Sequence, residues 1–451
     1  MDECLICGRP TIPQPMRGSF TLVLTGNIPP YTSYELRDIS FSAGDPASGA
    51  YAVAGTGTWQ VGGELVTRQE MTLDVDLTDS GNAISAKVFT NDVKTVDRAW
   101  PIVAVHLVQT DQNLLHFYSL SVLAAPVRDI WFSTGAGLTA SKWQAPTNRI
   151  EAGDLVSASG RVVRSNADLV KRLGMMPPVG ELAVDAVDIA PGGEVLFSLN
   201  ADVFSETLGQ LHHGDLLTEG GEVYRRNGEL MAAFAPADTN ADYGLDAVQV
   251  MSGGEIYFSI TTNVVSPQIG MLFRGDVLSD QGRLVKSHQQ LLSLFHPAVV
   301  DHDYGLDALY VWPGGEIWFS TEEGFNDSQL GPILAGDILS DQGFVVFHNL
   351  ELVSAFAPVE DLADFGLDAL YIVTDATPPA PAPKLTSVQA VNGSQSIALQ
   401  WYGSGRAFQI ERAGAVAGPF LPASPILADL SWLDSIAAAT NPAAFYRLRQ
   451  W

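Results

Sequence analysis

The sequence predicts an all-β chain: an N-terminal β-sandwich, a four-bladed β-propeller built from four repeats of about 61 residues, and a small C-terminal β-sandwich. Three observations carry this. The 42 glycines and 26 prolines are plentiful while long runs of helix formers are scarce, which favours short strands joined by turns. Residues 71–77, MTLDVDL, alternate cleanly, with Met71, Leu73, Val75 and Leu77 on one face. Residues 242–259, DYGLDAVQVMSGGEIYFS, recur 61 residues later as DYGLDALYVWPGGEIWFS at 303–320.

Residues 1–18 form an extension holding the only two cysteines, Cys4 and Cys7, spaced C-x-x-C. Half a zinc site, a local disulfide and a redox pair are the open readings. With no second cysteine or histidine pair and no βαβ pattern, a structural pair is expected. Residues 19–126 supply about seven strand-like stretches, among them SFTLVLTG, YELRDISFS and LLHFYSLSVL, and read as a sandwich.

Residues 127–373 contain the repeat. An aromatic-serine step falls at Ser133, Ser198, Ser259 and Ser320, a Gly-Asp pair ends at Asp154, Asp215, Asp276 and Asp337, and an Asp-Ala step begins at Asp185, Asp246, Asp307 and Asp368. In the fourth unit the strand-like pieces are EIWFS, GDILS, FVVFHN and LDALYIV, and LVSAFAP ahead of the last suits one or two helical turns stopped by proline. Four strands per unit in series suit propeller blades. The first unit begins with DIWFS and lacks an LDA strand; the fourth ends with LDALYIV and lacks a following GGEIWFS. Pairing the last strand with the first unit closes a ring and leaves no edge exposed.

The Asp-Ala strand followed by a G-x-aromatic-F strand resembles the blades of hemopexin-like four-bladed propellers. The resemblance covers those two strands, departs in unit length and in the Gly-Asp and helical segments, and implies four blades but no heme, protease or matrix function. TPPAPAP, 377–383, lies in a proline-rich linker, 374–383. Residues 384–451 carry Leu399 and Trp401 in one strand, FQIER at 408–412 and Phe445-Tyr446-Arg447 near the end. They resemble a fibronectin type III-like module of the kind that ends secreted bacterial proteins, which implies a spacer or binding unit.

The formal net charge is −27, and residues 127–373 hold 34 acids against 12 bases. Such a surface repels nucleic acid and anionic lipid and attracts cations. A solubilising surface and specific cation binding both remain open on charge alone. No apolar run is long enough to span a bilayer. An exported, secreted or cell-surface protein written without its leader is the expectation, with an extracellular glycan or protein as possible ligand.

A second acid stands four residues before each Asp-Ala aspartate: Glu181 with Asp185, Asp242 with Asp246, Asp303 with Asp307, Asp364 with Asp368. Asp238 and Asn240 enrich one loop and Asp301 another. Alternating oxygens with a glycine suit Ca²⁺, one per unit or a few where the Asp-Ala strands converge. Like charges so close need a cation between them or a proton. The alternative is that each aspartate caps backbone N–H groups, the expected role of the Gly-Asp set. The recurring serines read as strand-end hydrogen bonders, His212-His213 as a surface loop rather than a metal ligand, and Trp131, Tyr257 and Trp318 as core. His302, between Asp301 and Asp303, is the histidine that breaks the pattern. No G-x-S-x-G elbow, phosphate-cradling loop or basic aromatic patch is present, so no catalytic residue is assigned. The expected function is calcium-dependent binding or scaffolding; the alternative is a metal-dependent hydrolase or lyase acting on polysaccharides or esters.

Overall fold

The computed structural model describes residues 2–3, 14–45, 49–79, 82–111, 117–143, 148–175, 182–376, 381–391, 396–435 and 444–451. Cys4, Cys7, Glu181 and residues 377–380 of the linker lie outside the described residues. The chain is all-β and divides into two compact units, Met1–Pro126 and Val127–Trp451.

The first unit is one nine-stranded antiparallel sheet rather than the expected pair of facing sheets. Its strands run up to 15 residues, as in Tyr31–Asp45. From Met16–Ile28 through Arg68–Asp79 to Asn82–Thr90, each long strand pairs with its predecessor. Tight hairpins of this kind lay consecutive strands side by side, and a second layer would need crossing connections. The sheet curls into a half-barrel around its own apolar face instead. Met71, Leu73, Val75 and Leu77 are buried while Asp74 and Asp76 are exposed, as the alternation requires. They share one core with Leu36, Trp59, Phe89 and Leu107.

In the second unit the repeat becomes four antiparallel four-stranded sheets. Sheet two takes Val184–Ile189, Val195–Leu199, Leu216–Thr218 and Val223–Arg225. Sheet three takes Val248–Val250, Ile256–Phe258, Val277–Ser279 and Arg283–Lys286. Sheet four takes Ala308–Val311, Ile317–Ser320, Ile338–Ser340 and Phe344–Phe347. Sheet one joins the two ends of the repeat region: Ala369–Thr374 pairs with Val127–Ser133 along its length. Its outer strands are Leu155–Ser157 and Arg161–Arg164. The strands that begin at the Asp-Ala steps are the inner strands, and each adjoins the next in a closed cycle. A two-stranded hairpin, absent from the sequence reading, projects from each repeat between the second and third strands, as in Val203–Ser205 with Gly209–Leu211.

Three serines tie neighbouring sheets together. Ser198, Ser259 and Ser320 each donate an Oγ–H to the carbonyl before the next inner-strand aspartate: Leu245, Leu306 and Leu367, at 2.8, 3.0 and 3.1 Å. Ser133 is buried with no such partner. The Gly-Asp aspartates accept backbone N–H groups, as expected, but do so at the starts of short helices. Asp337 accepts from Leu334 N–H at 3.1 Å and from Asn349 N–H at 2.9 Å, the first residue of the helix Asn349–Val353. Asp154, Asp215 and Asp276 repeat that pattern at the helices beginning at Asn166, Asn227 and His288.

The C-terminal residues form two three-stranded sheets, Lys384–Val391, Ser396–Tyr402 and Ser431–Asp434 against Leu421–Pro422, Phe408–Ala413 and Phe445–Gln450. This small sandwich is packed onto the ring. Ala407, Ala428 and Trp451 belong to the same core as Trp131 and Tyr371. Arg406 reaches among the inner strands. Its Nη1 lies 3.0 Å from Asp188 Oδ2 and its Nη2 donates to the Val250 carbonyl at 2.6 Å. Tyr310 and Tyr371, on the other two inner strands, are near enough to act on it electrostatically. Asp188 is 1% exposed. Removing the guanidinium leaves a buried carboxylate uncompensated, so Arg406→Ala is expected to cost about 3–5 kcal/mol. Urea midpoints at unchanged slope measure this; a loss under about 1 kcal/mol rules out a buried pair.

Candidate metal centre

Each Asp-Ala aspartate stands within two residues of the start of its inner strand, and the closed cycle of inner strands brings these side chains to one place. One carboxylate oxygen each from Asp185, Asp246 and Asp307 lie within 4.8 Å of one another. Asp368 acts electrostatically on Asp185 and Asp307 and so belongs to the same group. Gly135 makes room for it, since a Cβ there would stand 2.9 Å from Asp368 Oδ1. Asp246 is 5% exposed, and its Oδ2 is buried with no hydrogen-bond donor in reach.

This crowding is expensive. Two unit charges 4.8 Å apart repel by about 3.5 kcal/mol at an effective dielectric of ~20. Three such pairs amount to on the order of 10 kcal/mol, comparable to the whole stability of a domain. The carboxylates therefore need protons or a cation. Burial pushes the carboxyls of Asp185, Asp246 and Asp307 well above the usual range, and the neighbouring acids push the same way. Asp368 is pushed up to about 6 by burial. Three oxygens no more than 4.8 Å apart share a centre at most about 2.8 Å from each, a span that admits the 2.3–2.6 Å of calcium–oxygen bonds.

The pairs seen in the sequence come apart in space. Asp364 acts electrostatically on Asp307 and Asp303 on Glu322, but Asp242, Asp303 and Asp364 are each held by the backbone. Their Oδ1 atoms accept the N–H of Gly244, Gly305 and Gly366 two residues on, at 3.2, 3.1 and 3.0 Å. Those glycines have φ of 77°, 74° and 74°, left-handed values that glycine meets without strain. Asp242 and Asp364 also hold the Gly-Asp turns, accepting from Gly214 and Gly336 at 3.0 Å. Asp238 accepts from Asn240 N–H at 3.0 Å in an exposed loop, and Asp301 is exposed at a φ of 60°. The four-residue spacing thus separates two jobs: the first acid shapes the turn, and the second faces the centre.

One central residue escaped the sequence reading. Two positions beyond each recurring serine stand Gly135, Asn200, Thr261 and Glu322. Glu322 is within hydrogen-bonding reach of Asp246, and its Oε1 is buried without a donor. Its Oε2 pairs with Arg274 Nη1 at 2.6 Å, and Arg274 also pairs with Glu323. Glu323 in turn binds His302 Nε2 at 3.0 Å, so His302 belongs to this ion-pair cluster. Aligning the four units on their serines would have exposed Glu322 as the one acid at that position.

No protein-family model matches the chain, and no curated protein does. Among solved structures, the chain is similar to the extracellular domain of a protein from B. thetaiotaomicron described as a hybrid two-component system. Identity is 7%, covering 91% of this chain and 74% of that one, with a TM-score of 0.20. A second is the extracellular domain of a protein described as a one-component system of the same organism, at 9% identity, 93% and 81% coverage and a TM-score of 0.19. Likenesses this distant carry no argument about this chain. Among the described residues no helix is long and apolar enough to cross a membrane.

Because burial raises these carboxyl pKa values above those of the unfolded chain, the aspartates favour the fold when protonated. For Asp368 that contribution is complete below about pH 4 and is lost as pH rises through about 6. Chelator-treated protein is therefore expected to melt progressively lower from pH 5 to pH 7.5, and Asp246→Asn with Asp307→Asn flattens that decline. A level or rising melting temperature across this window means that the carboxylates are not crowded in solution.

Proposed function

We propose that the four sheets are the blades of a four-bladed β-propeller and that its axis is a Ca²⁺ centre held by Asp185, Asp246, Asp307 and Asp368, with Glu322 at its rim. The observation that carries this is the meeting of the repeat aspartates, one carboxylate oxygen each, at a place where Asp246 also keeps a buried Oδ2 without a donor. An all-carboxylate, oxygen-only site suits a hard cation of calcium's size. The ion would knit together strands from all four blades. Extracellular calcium modules work at a Kd on the order of 10⁻⁴–10⁻³ M, and a site that the fold needs filled suits a protein acting at or outside the cell surface. In this reading the chain is a calcium-dependent binding or scaffolding protein for a glycan or protein ligand. Its C-terminal sandwich, resembling a fibronectin type III-like module, is docked on the propeller and is no free spacer.

A second reading rests on Glu322. It breaks the fourfold pattern and pairs with Arg274, as a metal-dependent hydrolase or lyase would require of a single active position. Turnover of a polysaccharide or ester that Glu322→Gln abolishes, with calcium affinity retained, selects that reading.

For the calcium centre, Ca²⁺ at a hundredfold excess over its Kd is expected to stabilise chelated protein by about 2.7 kcal/mol. Asp246→Asn with Asp307→Asn removes the response while the far-ultraviolet circular dichroism stays native. A wild-type melting temperature indifferent to millimolar Ca²⁺ would sink the proposal.

A further inference from the structure

We propose that Asp202, His213 and Asp242 form a second metal site, separate from the axis and specific for a divalent transition-metal ion of the Zn²⁺ class, with His212 orienting one of its ligands.

The backbone assembles this site in the second repeat unit. In the hairpin Val203–Ser205 with Gly209–Leu211, Val203 faces Leu211, so Asp202 and His212 are the next residues on the two arms. Asp242 arrives from its glycine turn with Oδ2 fixed by Gly214 N–H at 3.0 Å. The His213 ring enters between the two carboxylates, its Nδ1 2.9 Å from Asp202 Oδ1 and 2.9 Å from Asp242 Oδ2. An imidazole Nδ1 carries at most one hydrogen, which serves one of these oxygens well and not both. Without that hydrogen, three lone pairs face one another. A metal ion satisfies all three at once. Nitrogen–oxygen separations of 2.9 Å are only slightly below the roughly 3.3 Å between neighbouring ligands of a tetrahedral ion with bonds of about 2.0–2.1 Å.

The surrounding contacts suit a metal site. His212 Nδ1 stands 2.9 Å from Asp202 Oδ2, the oxygen turned away from His213, as an outer partner that orients a ligating carboxylate. His213 N–H donates to Asp202 Oδ1 at 2.9 Å. The fold does not need the imidazole. At the matching place in the third unit, Arg274 N–H donates to Asn263 Oδ1 at 2.8 Å, so arginine and asparagine build the same turn. In the first and fourth units the two positions hold Gly137 with Ala152 and Gly324 with Ala335. Only the second unit combines both carboxylates with an imidazole. Nitrogen among the ligands selects a borderline-soft ion over calcium. Asp202 and His213 are 45% and 30% exposed at the side chain, which leaves a fourth position open to water or to a donor atom of a ligand.

The test titrates the full chain with Zn²⁺ by calorimetry, and with Co²⁺ by visible absorption, in saturating Ca²⁺ so that the axis is filled. One saturable equivalent is expected, with the intense Co²⁺ absorption of a low-coordinate nitrogen–oxygen site. His213→Arg, which copies the third unit's residue and so preserves the turn, should lose at least a hundredfold in affinity. His212→Ala should weaken it about ten- to a hundredfold, and Asp246→Asn with Asp307→Asn should leave it unchanged. No saturable uptake in the calcium-filled protein, or uptake unaltered in folded His213→Arg, overturns the proposal.

Discussion

Closing a ring of four short sheets puts four equivalent side chains at one point, and here the repeat makes each of them an aspartate. Their mutual repulsion is the constraint on which the rest depends. Inner strands held apart by an unsatisfied charge would splay. The bonds that oppose this are specific: the serine hydroxyls reaching the Leu245, Leu306 and Leu367 carbonyls, and the Arg406 pair on the far side of the same strands. Hydrogen bonds of this kind add about 1 kcal/mol each, too little against like charges without a proton or cation at the centre.

The ring's two sides therefore differ in chemistry. At the aspartates, acids outnumber bases, and among the described residues the nearby base is Arg274, committed to Glu322 and Glu323. Three residues further along the inner strands stand Asp188, Gln249, Tyr310 and Tyr371. Here the charge is settled within the protein, by a guanidinium from the C-terminal sandwich and by Gln249 exchanging hydrogen bonds with the Val311 backbone. One side is closed by the protein's own groups; the other gathers carboxyls that burial and mutual repulsion hold well above the usual carboxylate range.

Much of this was legible in the residues. The 61-residue spacing, the displaced start and finish of the repeat, and the alternation at 71–77 each reflect strong local physics, and each has its counterpart in the strands. The candidate site was legible as a set of positions but not as geometry. Asp242 and Asp246 lie four residues apart, yet a glycine turn sends one to a backbone amide and the other to the axis. Spacing along the chain carries no record of that. Glu322 was missed for a different reason: it stands out only as a difference between copies, and the reading had attended to what the copies share. His213 was noticed and read as a surface loop because the other units have no histidine there. The half-barrel was read as a sandwich because an alternating strand looks the same whichever surface covers its apolar face.

The pairing of Val127–Ser133 with Ala369–Thr374 joins residues roughly 240 positions apart. Contacts so remote are slow to form, because a long loop must close before they return any stabilisation. While the chain is being synthesised, three sheets have all four of their strands before residue 374 emerges, and the first waits with an open edge. Until the last strand arrives that edge stays open to a strand from any neighbour.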